Sequence, residues 1–120
     1  MPSLLIISTN GPEVAERSFM PFIVGETAQM MDIDVSVFFL MDGVVLPQKG
    51  MAKRVKAPGY PKLDETIESF MKAGGKVYVC SNSQNFRKIN PRKGFVDGTI
   101  IAGAAKMVEL IMESDKTIYI

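Results

Sequence analysis

The one thiol in the chain, Cys80, closes an apolar run, Val77-Tyr78-Val79-Cys80, and is followed at once by Ser81-Asn82-Ser83. Hydroxyl and amide side chains in that position cap a short helix, here expected over Gln84 to Lys88. A thiol at a helix N-terminus with Arg87 and Lys88 close by sits where a thiolate is stabilised, the surroundings of a reactive cysteine. A strand-end cysteine is equally at home as a small buried hydrophobe. Both readings stand on spacing alone.

The chain has no histidine. Nucleophile pairs that need imidazole, and metal sites with imidazole ligands, are therefore excluded. A single cysteine excludes an intrachain disulfide and any Cys-rich zinc site. No metal or cofactor is expected, and activation of Cys80 must come from backbone dipoles and nearby cations.

Two further loops carry small polar residues after apolar runs. Ser8-Thr9-Asn10-Gly11 precedes Pro12 and offers backbone amides to an anion, with Asn10 and Gly11 as candidates, but it lacks the spacing of a nucleotide-binding loop. Met41-Asp42-Gly43 places Asp42 at a strand end, either as a general base or as a loop former bonded to its own backbone.

These loops need strands to position them. Leu4–Ile7, Val35–Leu40, Val77–Cys80 and Ile118–Ile120 are continuous apolar runs, as expected of strands buried on both faces of a parallel sheet. Leu63, Ile67, Phe70 and Met71 share one helical face between Pro61 and Gly74-Gly75. Ala15, Phe19, Phe22, Ile23 and Met30 make a first helix that Pro21 should kink or restart. Ile101, Ala104, Ala105, Val108, Ile111 and Met112 form the stripe of a last helix capped by Asp97 or Thr99. Alternating strands and helices imply a three-layer α/β/α sandwich around a mainly parallel sheet of about five strands, one domain over residues 1–120. In such a sheet the loops beyond the carboxyl ends gather into one crevice, bringing Asn10, Gly11, Asp42, Cys80, Ser81, Asn82, Ser83, Arg87 and Lys88 together. Residues 47–59 show no apolar periodicity, which predicts a functional flap or a segment that orders on binding.

The net charge of +1 gives no global field toward nucleic acid or an anionic membrane. Met1-Pro2-Ser3 has no basic region and no apolar run approaches a membrane span, so a cytoplasmic protein is expected. Nine methionines suit an adaptable core or a subunit interface. Lys49, Lys53, Arg54 and Lys56, and Arg87, Lys88, Arg92 and Lys93, are local basic clusters fit for small anions or an acidic partner if both border the crevice.

Ser8-Thr9-Asn10-Gly11 with Glu16-Arg17, Pro21-Phe22, Val37-Phe38-Phe39-Leu40-Met41-Asp42-Gly43-Val44, and Lys76-Val77-Tyr78-Val79-Cys80-Ser81-Asn82-Ser83 followed by Arg87 resemble, in that order, the DsrE/DsrF-like family. The resemblance implies a small α/β protein that assembles into trimers or hexamers. It also implies sulfur relay, with Cys80 accepting sulfane sulfur as a persulfide and passing it to a partner protein. Some relatives use a second cysteine, which this chain lacks, so transfer must go to another chain. The label of peroxiredoxin sometimes given to the family fits poorly, since Cys80 is not preceded by a Pro-x-x-x-Thr-x-x turn. The alternative is a non-catalytic oligomeric binding module for a small anion or nucleotide, with Cys80 structural.

Overall fold

The computed structural model describes all residues, Met1 to Ile120. Five strands, β1 (Ser3–Ser8), β2 (Asp34–Phe39), β3 (Lys76–Cys80), β4 (Ile100–Ala102) and β5 (Lys116–Tyr119), form one sheet in the order β4-β3-β2-β1-β5. Every pairing is parallel. Four helices connect them: α1 (Ala15–Met30), α2 (Leu63–Lys72), α3 (Ser81–Phe86) and α4 (Ala104–Glu113).

From β1 to β4 the chain steps across the sheet in one direction, and then it crosses back past β1 to place β5. With crossovers of one hand, that reversal puts α4 on the face opposite α1 and α2. The packing agrees. Ile6, Val35, Val37, Phe39, Val77 and Val79 join Phe19, Phe22, Leu63, Ile67 and Phe70 in one cluster. Leu5, Ile7, Phe38 and Tyr78 point the other way, toward Met107 and Leu110 of α4. Strands β1, β2 and β3 are apolar at successive positions because both faces are covered.

Several local expectations are corrected. The stretch after Gly98 does not enter the last helix: Ile100-Ile101-Ala102 pairs with Tyr78-Val79-Cys80 as β4, and α4 starts after Gly103 rather than at Asp97 or Thr99. Adjacent β-branched side chains and a free sheet edge beside β3 favour the strand. On α4 the stripe Ala104, Ala105, Val108, Ile111, Met112 is the exposed one, and Met107 and Leu110 face the sheet. Pro21 does not restart α1, which runs unbroken through it, and Met30 is exposed instead of sharing the buried face.

The segment after β2 is anchored rather than a free flap. It forms 3₁₀ turns at Met41–Val45 and Ala52–Arg54, and Leu46, Ala52 and Val55 are buried in the main cluster. Its backbone pairs with the connection between α3 and β4, Lys49 N–H donating to Gly94 C=O and Val96 N–H to Pro47 C=O. No helix is long and apolar enough to cross a membrane.

Candidate functional site

Cys80 ends β3 and is the N-cap of α3, with extended backbone at φ −63° and ψ 122°. The first unpaired backbone N–H groups of α3 follow it directly, although its side chain makes no capping hydrogen bond to them. Strand alternation sets it on the face of Tyr78, and it packs at the border of both apolar clusters, half-buried. In register beside it, Ala102 ends β4. A Cβ added to Gly103 would stand 3.6 Å from Ser81 Oγ, so the start of α4 adjoins the start of α3.

The loop after β2 is locked onto α3 by hydrogen bonds from both segments. Met41 N–H donates to Ser83 Oγ at 2.8 Å. Arg87 Nη2 donates to Asp42 Oδ1 at 2.7 Å, and Arg87 Nη1 to Ser83 C=O at 3.2 Å. The guanidinium also lies 5.6 Å from the ring centroid of Phe86. Arg87 is only 23% exposed whereas Asp42 is 65% exposed. The charge of Arg87 is therefore answered within the chain, and the pair positions the turn beside Cys80. Asp42 is a loop former in this arrangement, held by a cation rather than by its own backbone.

That turn is under local strain. Met41, not a glycine, has φ 56°, a conformation that L side chains avoid. Gly43 is required by contact: an added Cβ would lie 2.6 Å from Ser8 C=O and 3.2 Å from Phe39 Cδ1. The turn thus closes directly on the end of β1, whose Ser8 hydroxyl is buried without a hydrogen-bond partner.

Gly11 completes the junction, since its added Cβ would be 3.0 Å from Asp42 C=O. The same position lies 2.6 Å from Glu13 Oε2, so a carboxylate already occupies the mouth of this loop. Asn10 is half-buried beside it. Asn82 and Lys88 are exposed, and no ion pair engages Lys88, which has φ 54° in the turn after α3. The structure accordingly brings Gly11, Asp42, Ser83 and Arg87 into one linked frame around Cys80 and Ser81, and leaves Asn82 and Lys88 facing solvent.

Phe86 and Gly103 belong to this frame as well, and Met41 and Gly43 enter it through their backbone. The Asp-Gly dipeptide after a strand is the sequence signal for the Gly43 turn, whereas the positive φ of Met41 has no local signal. No three carboxylate or thiol groups converge anywhere to hold a metal ion. A groove of about 690 Å³ runs between α2 and the segments around Ala52 and Val96, and Cys80 does not line it.

A model of the DsrE/DsrF-like family matches residues 3–120. An uncharacterized protein of Methanocaldococcus jannaschii is 40% identical over 101 residues, covering 84% of this chain; the chain spans 36% of that relative's length. The sulfur carrier protein DsrE2 of Allochromatium vinosum is 26% identical, with 98% of this chain and 97% of that protein covered. Among solved structures, the ychN protein of E. coli superposes with a TM-score of 0.76 at 17% identity over the whole of both chains. A protein from Methanobacterium thermoautotrophicum gives a TM-score of 0.71 at 14% identity, covering 99% of this chain and 98% of that one. With the family model spanning nearly its full length and the parallel sheet that these folds share, this chain belongs to the DsrE/DsrF-like family.

Proposed function

We propose that this protein is a sulfur-relay carrier that holds sulfane sulfur as a persulfide on Cys80 and hands it to a thiol of a partner protein. The observation that carries the reading is the place of Cys80: the only thiol, half-buried at the carboxyl edge of a parallel sheet and at the N-cap of α3. The relative named as a sulfur carrier supports the same chemistry.

With thiosulfate as donor, the Cys80 thiolate attacks the sulfane sulfur, the sulfur–sulfur bond of thiosulfate breaks, and sulfite leaves with the bonding pair. The acceptor thiolate then attacks the terminal persulfide sulfur and Cys80 leaves as thiolate. Neither step needs an external oxidant. Ser81 and Asn82 offer backbone amides to the anion, and Lys88 is the first unpaired cation after Cys80 in the chain. Ser83, Arg87 and Asp42 act as positioning residues, with Asn10 and Gly11 walling the junction.

Assembly into a homo-oligomer belongs to this reading. Val108 is 54% exposed and Met112 78% exposed on α4, next to exposed Ala104, Ala105 and Ile111, an apolar strip that a neighbouring subunit would cover.

Intact-mass measurement after incubation with thiosulfate or polysulfide tests the carrier role. One added sulfur on the wild type and none on Cys80→Ser is the expected result. Absence of the adduct, or its survival in Cys80→Ser, defeats it. The packing of Cys80 against both apolar clusters favours a second reading, a binding module with a structural thiol. That reading requires slow alkylation by iodoacetamide and a ligand that raises the melting temperature whatever stands at position 80.

A further inference from the structure

Nine of the fourteen basic residues lie in two stretches that contain none of the thirteen acidic ones. Lys49, Lys53, Arg54, Lys56 and Lys62 fall between Gly43 and Leu63; Arg87, Lys88, Arg92 and Lys93 fall between Ser83 and Val96. The five basic residues elsewhere stand against all thirteen carboxylates, a net −8 for the rest of the chain. A protein of overall charge +1 is thus strongly divided.

The fold joins the two stretches. Besides the backbone bonds between Lys49 and Gly94 and between Pro47 and Val96, Gln48 pairs antiparallel with Phe95. Leu46, Ala52 and Val55 of the first stretch share one apolar cluster with Ile89 and Phe95 of the second. All nine cations except Arg87 are exposed, and the only ion pair among those eight is Lys49 with Asp97, at a loose 3.9 Å. Asp64 and Asp97 border the groove that Lys53 lines, but seven of these eight cations form no ion pair, and the excess positive charge is free to attract an external anionic surface. The second stretch starts at the last turn of α3, whose N-cap is Cys80.

We infer that this joined basic face docks an acidic protein surface and steers it to Cys80. The inference rests on the relay reading for the reason a partner must approach the thiol. A protein fits the face better than a nucleic acid on two grounds. A single-strand platform stacks successive bases on aromatic rings. Here Tyr60 is packed on Phe19 and bonded to Glu16, leaving only Phe86 free at the margin. Asp42, Asp64 and Asp97 also border the face and would repel a long polyanion running across it, whereas a compact acidic patch can seat between them.

The test is the rate at which Cys80 is alkylated by an iodoacetyl oligo-glutamate peptide and by its oligo-glutamine counterpart. At low ionic strength the acidic peptide should react on the order of tenfold faster, the advantage shrinking as salt is added. It should vanish in the K53E/R54E/R92E/K93E variant and persist in K72E/K76E, while plain iodoacetamide reacts equally with all three proteins. No advantage for the acidic peptide, or an advantage that survives in the quadruple variant, overturns the inference. So does tighter competition by oligo-uridylate than by oligo-glutamate of equal charge, which assigns the face to RNA. Sedimentation showing a wild-type assembly that the quadruple variant loses assigns it to a second copy and equally overturns the inference. If Cys80 resists iodoacetamide altogether, the relay reading falls by itself. Anisotropy of labelled oligo-glutamate, bound by the wild type and lost in the quadruple variant, then still decides the docking face.

Discussion

Against one face of the sheet, α1 and α2 bury Phe19, Phe22, Leu63, Ile67 and Phe70 with the strand residues in a cluster of eighteen. Against the other, only Leu5, Ile7, Phe38 and Tyr78 are buried, and α4 turns more of its apolar surface to solvent than to the sheet. Helix α4 is the most apolar of the three, with seven apolar residues of ten against four of ten in α2 and eight of sixteen in α1, so the contrast reflects how little of it is covered and not its composition. Burial of apolar area is the main favourable term in folding. The first face therefore carries most of the stability of the subunit, and the second leaves apolar surface of α4 exposed. Cys80 stands where the two clusters meet, with the Asp42–Arg87 frame on its sheet edge and the exposed strip of α4 starting two residues beyond Ala102.

The largest effect should come from Phe70→Ala. That ring is fully buried, sits edge-on to Phe22 with centroids 5.5 Å apart, and is hemmed in by Gly25 and Gly75. A loss of about 3–5 kcal/mol is expected from denaturant unfolding. A comparable loss from Leu110→Ala would abolish the distinction between the faces. Next comes Gly25→Ala, whose new methyl would lie 2.8 Å from Phe70 Cε1. Overpacking of about 1–3 kcal/mol should outweigh the helical preference for alanine, and the thermal midpoint should fall. A raised midpoint would show that the crowded face can yield.

Ser83→Ala removes the acceptor for Met41 N–H and should cost about 1 kcal/mol. Faster hydrogen exchange at the Met41 amide is its specific readout, and Ser83→Thr should restore protection. Smaller still in stability is Val108→Glu with Met112→Glu, expected to leave the isolated subunit within about 0.5 kcal/mol of wild type. Sedimentation should nevertheless move to the monomer; a wild type that is already monomeric at high concentration would mean that α4 has no partner copy.

The smallest effect is confined to alkaline pH. The Tyr60 hydroxyl donates to Glu16 Oε2 at 2.6 Å, and this bond to a carboxylate, followed by burial and the neighbouring charge, raises its pKa above the ordinary 10.0. A raised folded-state pKa contributes stability that is complete below the unfolded value and lost as pH rises through the folded one. Wild type should therefore lose its margin over Tyr60→Phe above pH 10, and denaturant midpoints of the two proteins on either side of that pH check it.

The chain's local patterns were enough to specify β1, β2, β3, β5 and α2, because a continuous apolar run or a 3.6-residue period is set by backbone geometry within a few residues. They also placed Asp42, Cys80, Ser83 and Arg87 on one sheet edge, and the missing histidine restricted the chemistry before any fold was known. Tertiary structure alone decided the rest. Ile100-Ile101 became a strand because β3 offered an edge, and α4 turned Met107 rather than Met112 to the sheet because of where its crossover lands. Arg87 found Asp42, and two basic stretches far apart in sequence became one face, through pairings between distant segments. Each of those outcomes depends on which surfaces the chain crossing brings into contact, a relation that residue spacing within any one segment does not contain.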